Sequence, residues 1–111
     1  MTNPNTDVIQ GTLDMLILRT VRPEPLHGYG ITQRIEERSG NVFKVNPGSL
    51  LTALKRLERA GLLDSEWRRT DSGRRAKFYA LTPAGHRRLV SESADWQRRS
   101  AAVARLLGVE G

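Results

Sequence analysis

The stretch WRRTDSGRRAK, in the second half of the sequence, concentrates positively charged side chains around a short polar segment. Asp71 is its only acid, and its cations are Arg68, Arg69, Arg74, Arg75 and Lys77. Like charges this close together repel each other unless an anion neutralises them, and a phosphate backbone does so while releasing condensed counterions. We interpret the stretch as a contact to nucleic-acid phosphates. The alternative is a sheet edge that charge protects from aggregation.

A second group of polar side chains shares one face of a predicted helix. The apolar residues Leu50, Leu54 and Leu57 recur at i, i+4 and i+7, which indicates an amphipathic helix. The opposite face carries the hydroxyl and cationic side chains of Ser49, Thr52, Lys55, Arg56 and Arg59. Hydroxyls and cations suit base edges and phosphates, so this face is a candidate DNA-binding surface. The alternative is a solvated helix face without a ligand.

The overall charge agrees with these two candidates. The chain of 111 residues has 18 Lys and Arg against 12 Asp and Glu, which gives a formal net charge of +6. Its sequence pI of about 10.7 exceeds the value of about 9 above which nucleic-acid binding is typical. Only 5% of the residues are aromatic, which counts against a protein that stacks single-stranded bases. We therefore expect Trp67 and Phe78 to pack onto the helices as core residues.

Residue patterns that would support catalysis or metal binding are missing from the sequence. The two histidines, His27 and His86, lie far apart and there is no cysteine, so no cluster of metal ligands can be drawn. The glycines after His27 do not follow a predicted strand, which argues against a dinucleotide-binding loop. Ser49 has no neighbouring base that would activate it. We predict a protein that is not an enzyme and needs no metal or cofactor.

Three helices and a hairpin are needed to position the two polar surfaces. Apolar periodicity predicts one helix over residues 11–21 and a second over about residues 28–39. The third helix begins with Asn46 as N-cap and Pro47 at its first position, and Gly61 ends it. Two alternating runs joined by the polar turn at residues 70–73 predict a β-hairpin that carries the basic stretch.

A fourth helix follows the hairpin and is long for so small a chain. Thr82 and Pro83 are a suitable N-cap and first helical residue, and the apolar pattern extends to about Leu107. An apolar stripe of this kind requires a partner, and a second copy of the chain is the simplest one. We predict a homodimer whose interface contains the residues of this stripe, Leu89, Trp96, Val103, Leu106 and Leu107.

This order of elements predicts a mainly α fold with a β-hairpin: a winged helix-turn-helix followed by a long C-terminal dimerisation helix. We expect a flexible arm over residues 1–10, the DNA-binding domain over 11–82 and the dimerisation helix over 83–111. The sequence begins without a basic segment followed by an apolar run, so we expect neither a signal peptide nor a membrane span. Together with the absence of cysteine, this favours a cytoplasmic protein.

Four stretches of the sequence, taken in order, resemble the PadR family of bacterial transcriptional regulators. They are GTLDMLIL at 11–18, LHGYGI at 26–31, VNPGSL at 45–50 continued by ALKRLERAGL at 53–62, and RRAKFYALTPAG at 74–85. The resemblance extends from about residue 10 to residue 107. The length is similar to that of the shorter subfamily, which has a single C-terminal dimerisation helix.

The resemblance implies a dimeric repressor that binds a palindromic operator in double-stranded DNA. The third helix would enter the major groove, and the hairpin, called the wing, would contact the backbone or the minor groove. In one respect the chain departs from the family, which usually has Tyr-Pro after Gly-Ser-Leu, the Tyr being associated with DNA contact. Here the pair is Leu51 and Thr52. Because Leu51 cannot donate a hydrogen bond to a phosphate, part of that contact falls to Thr52.

The resemblance also implies a route of regulation. Some relatives bind planar or aromatic compounds between the two C-terminal helices, and Trp96 is the residue here that would contact a small aromatic effector. The alternative is that Trp96 only packs the dimer seam. A second functional hypothesis is a winged-helix module that binds another protein and has no specific DNA site.

Overall fold

The computed structural model describes the backbone of residues 4–108 and the side chains of residues 12–108. Helices dominate this part of the chain, and three short strands form one sheet. The elements in chain order are α1 Pro4–Thr20, β1 Leu26–His27, α2 Gly28–Arg38, α3 Pro47–Arg59, β2 Leu63–Arg69, β3 Arg75–Leu81 and α4 Pro83–Leu107. The wing is the hairpin of β2 and β3.

Helix α1 begins earlier than the sequence analysis expected. It begins at Pro4 rather than at Gly11, so residues 4–10 of the predicted flexible arm lie in the helix. Proline is favoured in the first turn of a helix, and a single internal glycine costs only about 1 kcal/mol without stopping it. Residues 1–3 of the predicted arm lie outside the described residues.

Three helices begin with a side chain that caps them. Asn46 Oδ1 accepts a hydrogen bond from the Ser49 amide at 3.1 Å, and Thr82 Oγ1 accepts one from the Gly85 amide at 3.0 Å. These caps of α3 and α4 are the predicted ones. Helix α2 is capped by His27, whose Nδ1 accepts from the Gly30 amide at 3.1 Å. His27 therefore has a structural role at the start of a helix.

The sheet has the strand order β1-β3-β2, and all its pairs are antiparallel. The predicted hairpin is confirmed, with Leu63 opposite Leu81 at its base and Arg69 opposite Arg75 at its tip. Strand β1 was not predicted, because two residues are too short to show an alternating pattern. Its Leu26 and His27 pair with Tyr79 and Phe78 of β3.

The prediction that Trp67 is a core residue is wrong. Its side chain is 59% exposed, and the Arg75 guanidinium lies over its ring at 5.8 Å. Phe78 is half-buried and contacts the His27 ring edge-on at 5.2 Å. The buried aromatic residue of the wing is Tyr79, because the register places it beside Ser65 on the same face as Leu63.

The core lies between the first three helices, the base of the wing and the start of α4. Tyr79 extends this core under the sheet, and its burial raises the pKa of its hydroxyl. Leu89 of α4 is 2% exposed and packs in this core, so its side chain is not available to a second chain. The predicted role of Leu89 at a dimer interface is corrected accordingly. The side chains with no exposed surface are Ile17, Leu18 and Ile31.

Candidate nucleic-acid interface

Helix α3 presents a polar face to solvent because its apolar stripe fixes its rotation. Leu50, Leu54 and Leu57 are buried in the core as predicted, together with Ala53. The opposite side carries Thr52, Lys55 and Arg59, all exposed. We call these three residues the outer face of α3. Within the described residues, neither Lys55 nor Arg59 has a recorded ion pair, so both cations remain available to an anion.

One edge of α3 is tied to α1. The Arg56 guanidinium donates to both carboxylate oxygens of Asp14, with Nη2 at 3.0 Å from Oδ1 and Nη1 bonded to Oδ2. This bond raises the pKa of Arg56. The half-buried Ser49 and the exposed Thr52 line the groove beside this pair. Arg56 is therefore held by an acid of its own chain, and no pattern in the sequence indicates this partner.

The other edge of α3 is tied to the wing through Glu58. Its Oε2 accepts a hydrogen bond from Ser65 Oγ at 2.6 Å, and its Oε1 accepts one from Lys77 Nζ at 3.1 Å. The Ser65 bond and the Lys77 ammonium lower the pKa of Glu58. Since Ser65 lies on β2 and Lys77 on β3, this single carboxylate holds both strands of the wing against α3.

The cations of the wing differ in what surrounds them. Arg68 is paired with Glu66 and lies over the Phe78 ring at 5.3 Å. The Lys77 ammonium is 5.7 Å from the centre of the Tyr79 ring, in addition to its bond to Glu58. Arg69, Arg74 and Arg75 are exposed, and none of them forms an ion pair with another described residue. The tip of the wing thus offers free positive charge.

The turn that carries these cations is held by its own hydrogen bonds. The Thr70 amide donates to the Arg74 carbonyl at 2.7 Å, and the Gly73 amide donates to the Thr70 carbonyl at 2.9 Å. Gly73 has φ of +87°, which a residue with a Cβ rarely adopts. This geometry places Arg69 and Arg74 on either side of one tight turn.

Tyr29 and Leu51 form an exposed apolar spot beside these cations. Tyr29 is 70% exposed and Leu51 is 50% exposed. Both line a groove of about 650 Å³ between α2, α3 and β3, together with Thr32, Ala76 and Lys77. Tyr29 was not predicted to belong to the site, and Leu51 was expected only to lack the phosphate contact of the usual Tyr. The sequence pattern that could have indicated them is that neither residue belongs to the apolar stripe that its helix buries.

The C-terminal half of α4 carries a second, separate surface. Four large apolar side chains are exposed there, as expected for a face that packs against a partner: Trp96, Val103, Leu106 and Leu107. Trp96 also borders a cleft of about 260 Å³ between α1 and α4, whose walls include Asp14, Met15, Glu92, Asp95 and Arg99. Trp96 is 46% exposed, so its ring contacts its own chain on one side and solvent on the other.

The described residues offer no candidate for a metal site or a membrane span. Among their side chains, no group of three or more histidines and carboxylates lies close enough together to hold a metal ion. No helix in that part of the chain has both the length and the apolar character needed to span a bilayer.

Comparisons with known proteins agree with this arrangement. Residues 17–91 match the sequence profile of the family described as "Transcriptional regulator PadR-like family". Over 76 residues the chain is 41% identical to a protein of Mycobacterium tuberculosis named as a transcriptional regulator, a match that covers 68% of this chain and 67% of that protein.

Two solved structures extend the comparison to the fold. The PadR family transcriptional regulator from Eggerthella lenta is 31% identical and has a TM-score of 0.78, covering 95% of this chain and 89% of that chain. A PadR-like transcriptional regulator from Bacillus cereus is 24% identical with a TM-score of 0.80, covering 94% of this chain and 99% of that chain. The predicted fold class and family resemblance are both confirmed.

Proposed function

The chain belongs to the PadR-like family of transcriptional regulators, and from this premise we propose that it is a dimeric repressor of a nearby operon. Members of this family are DNA-binding regulators and not enzymes. We assign residues 11–82 to DNA binding and residues 83–111 to dimerisation. The target is a palindromic operator in double-stranded DNA, because a two-fold symmetric dimer presents two identical reading surfaces.

One observation carries the DNA-binding part of the proposal. Glu58 joins α3 to both strands of the wing, so the helix with the basic outer face and the hairpin with the basic tip are held together. In this arrangement α3 enters the major groove and the wing lies along the backbone. The residues proposed to contact DNA are Ser49, Thr52, Lys55, Arg56, Arg59, Arg68, Arg69, Arg74, Arg75 and Lys77.

The dimer part of the proposal is supported by α4. Leu89, Trp96 and Val103 are spaced seven residues apart, which places them on one side of the helix. The core of the same chain covers this side at Leu89 but leaves it open from Trp96 onward. A second α4 packed against Trp96, Val103, Leu106 and Leu107 would cover the open part.

The regulatory part of the proposal concerns Trp96. A planar aromatic compound would stack on its exposed face next to the cleft between α1 and α4, where Met15 adds apolar surface. Binding there would act on the dimer and so relieve repression. Titration of the protein with a panel of aromatic compounds, monitored by the fluorescence of Trp96 against a Trp96→Phe control, tests this part separately.

The experiment that tests DNA binding compares the upstream region of the protein's own gene with a scrambled fragment of equal length. We expect tight binding to the upstream fragment alone. Its affinity should fall steeply as salt rises: the logarithm of the binding constant should decrease with the logarithm of the salt concentration by a slope of about 0.9 for each phosphate contacted. Equal and weak binding to both fragments would contradict the proposal for this operator. It would favour the alternative, a winged-helix module that binds a protein.

Two variants assign the surface. Arg59→Ala on α3 and Arg74→Ala on the wing each remove a cation with no recorded ion pair among the described residues. Both should weaken operator binding and reduce its salt slope, since each removes a phosphate contact from both halves of the dimer. The matched control is Arg38→Ala, an exposed arginine at the end of α2. If Arg38→Ala weakened binding as much, the assignment of the surface would be wrong.

A further inference from the structure

Leu51 is the one large apolar side chain that α3 exposes within the described residues. It is the fifth residue of a helix that begins at Pro47. Residues near the start of a recognition helix are those that reach base edges in the major groove. Half of the Leu51 side chain is open to solvent, so it has apolar surface left to bury against a partner.

The neighbours of Leu51 narrow the chemistry of that partner. Lys55 lies one helical turn further along α3, and Lys77 of the wing lines the same groove as Leu51. Lys77 is already bonded to Glu58, so a ligand that fits must supply an anionic group chiefly to Lys55 and a small apolar group to Leu51. Double-stranded DNA supplies both, since phosphates border a groove in which thymine displays its C5-methyl group.

We infer that Leu51 is a specificity-determining residue that packs on the C5-methyl group of a thymine in each operator half-site. The inference rests on the proposed function, in which α3 enters the major groove. Leucine has no donor or acceptor for the polar base edges, and the thymine methyl is the apolar group that the major groove offers. Leu51 therefore selects an A·T pair at one position of each half-site.

The size of the effect follows from the burial of one methyl group. Removing it from a fully buried contact weakens binding by about fourfold, and by about sixteenfold when both half-sites of a dimer lose it. If Leu51 stayed exposed in the complex, loss of the methyl group would have no effect, because no apolar surface would have been removed from water.

The experiment uses deoxyuridine, which differs from thymidine only in lacking the C5-methyl group. In the operator fragment, each symmetric pair of thymines is replaced in turn, and the affinities of the wild type and of Leu51→Ala are measured at fixed salt. We expect one pair whose replacement weakens wild-type binding by about sixteenfold. Leu51→Ala should bind the thymine and uracil forms of that pair equally well.

The matched control is Val90→Ala, which shortens an exposed apolar side chain on α4 instead. It should keep the full sensitivity to uracil, and circular dichroism should show both variants folded. The inference is overturned if no uracil replacement weakens wild-type binding, or if Leu51→Ala keeps the sensitivity. If the wild type shows no specific operator binding, the proposed function itself fails. Specific binding without any uracil effect overturns only the inference about Leu51.

Discussion

At the residue scale, the cations of the basic surface fall into two groups according to what holds them. Arg56, Arg68 and Lys77 each have a carboxylate partner within their own chain. Lys55 and Arg59 have no ion pair recorded among the described residues. A phosphate that binds a paired cation must compete with its carboxylate, so the unpaired cations should contribute more to DNA affinity.

Asp14 gives the sharpest test of this competition. We predict that Asp14→Asn strengthens operator binding severalfold, because it releases the Arg56 guanidinium and removes a negative charge from the edge of α3. The pair is exposed, so its loss should lower the free energy of unfolding by no more than about 1 kcal/mol. Affinity is measured at low and high salt by fluorescence anisotropy with a labelled operator.

Glu37→Gln is the control for Asp14→Asn. It removes one negative charge from an exposed position on α2 and leaves Arg56 in place. A general effect of net charge would raise the affinity of both variants alike. An equal gain for Glu37→Gln and Asp14→Asn would therefore show that Arg56 is not the group released.

At the element scale, the attachment of the wing to α3 depends on an acid that titrates. The pKa of Glu58 is lower in the folded chain than the value of about 4.3 that glutamate has when unfolded. Its stabilising effect is therefore complete above about pH 4.3 and is lost as pH falls through the lower folded pKa. Below that pH the wing loses its bonds to the carboxylate.

We predict that Glu58→Gln lowers the free energy of unfolding by about 0.5–1 kcal/mol near neutral pH, since the group is partly exposed. The difference from the wild type should be constant from about pH 5 to pH 8 and should shrink below about pH 4. Urea denaturation at fixed protein concentration, repeated across this range, gives the comparison. A difference that stayed constant to pH 3 would show that the Glu58 charge does not stabilise the wing.

The start of α4 is tightly packed against the rest of the fold at Gly85. A Cβ added at Gly85 would lie 2.1 Å from the Leu62 carbonyl oxygen and 2.7 Å from Leu81 Cδ1. Contacts this short force the backbone to move. The start of α4 is therefore fixed against the base of the wing, and the direction of the whole helix follows from it.

Gly85→Ala should lower the free energy of unfolding by about 1–3 kcal/mol, the usual cost of overpacking. Thermal and urea denaturation measure it. Gly30→Ala in the first turn of α2 is the matched control, since the nearest atom to its new Cβ is 3.5 Å away. Alanine should stabilise that position by about 0.5–1 kcal/mol through its helix propensity. If both variants were equally stable, the tight junction would be disproved.

At the scale of the whole molecule, the described residues carry two separate exposed surfaces on different elements. The basic surface lies on α3 and the wing, and the apolar surface lies on the C-terminal half of α4. Asp14 is near both, because it bonds Arg56 on one side and borders the cleft beside Trp96 on the other. An effector in that cleft could thus act on α3 through one residue.

Val103→Glu tests the apolar surface. We predict that it converts the dimer to a monomer, because a carboxylate would be buried against the partner helix, and that operator affinity falls by at least tenfold. Light scattering gives the mass, and circular dichroism checks that the helices persist. Ala101→Glu adds the same charge to an exposed position on another side of α4 and should remain dimeric. A dimeric Val103→Glu would place the interface elsewhere.

The elements that local chemistry controls were predictable from the sequence. Asn46, Thr82 and Gly73 act on neighbours only a few residues away, so the starts of α3 and α4 and the turn of the wing were predictable. The Leu50, Leu54 and Leu57 stripe likewise fixed which side of α3 faces solvent. These features, with the family motifs, were enough to predict the fold class.

Contacts between groups far apart in the chain became visible only in the folded structure. Arg56 and Asp14 are 42 residues apart, and Lys77 and Glu58 are 19 apart, so no local pattern reveals that they are paired. Trp67 and Tyr79 lie on the same face of the wing, but only the base of the hairpin packs on the core, so Tyr79 is buried and Trp67, nearer the tip, is exposed. Leu89 and Trp96 belong to one stripe, yet the docking of α4 covers the first and leaves the second open. Burial and pairing depend on how elements dock, which short-range sequence patterns do not encode.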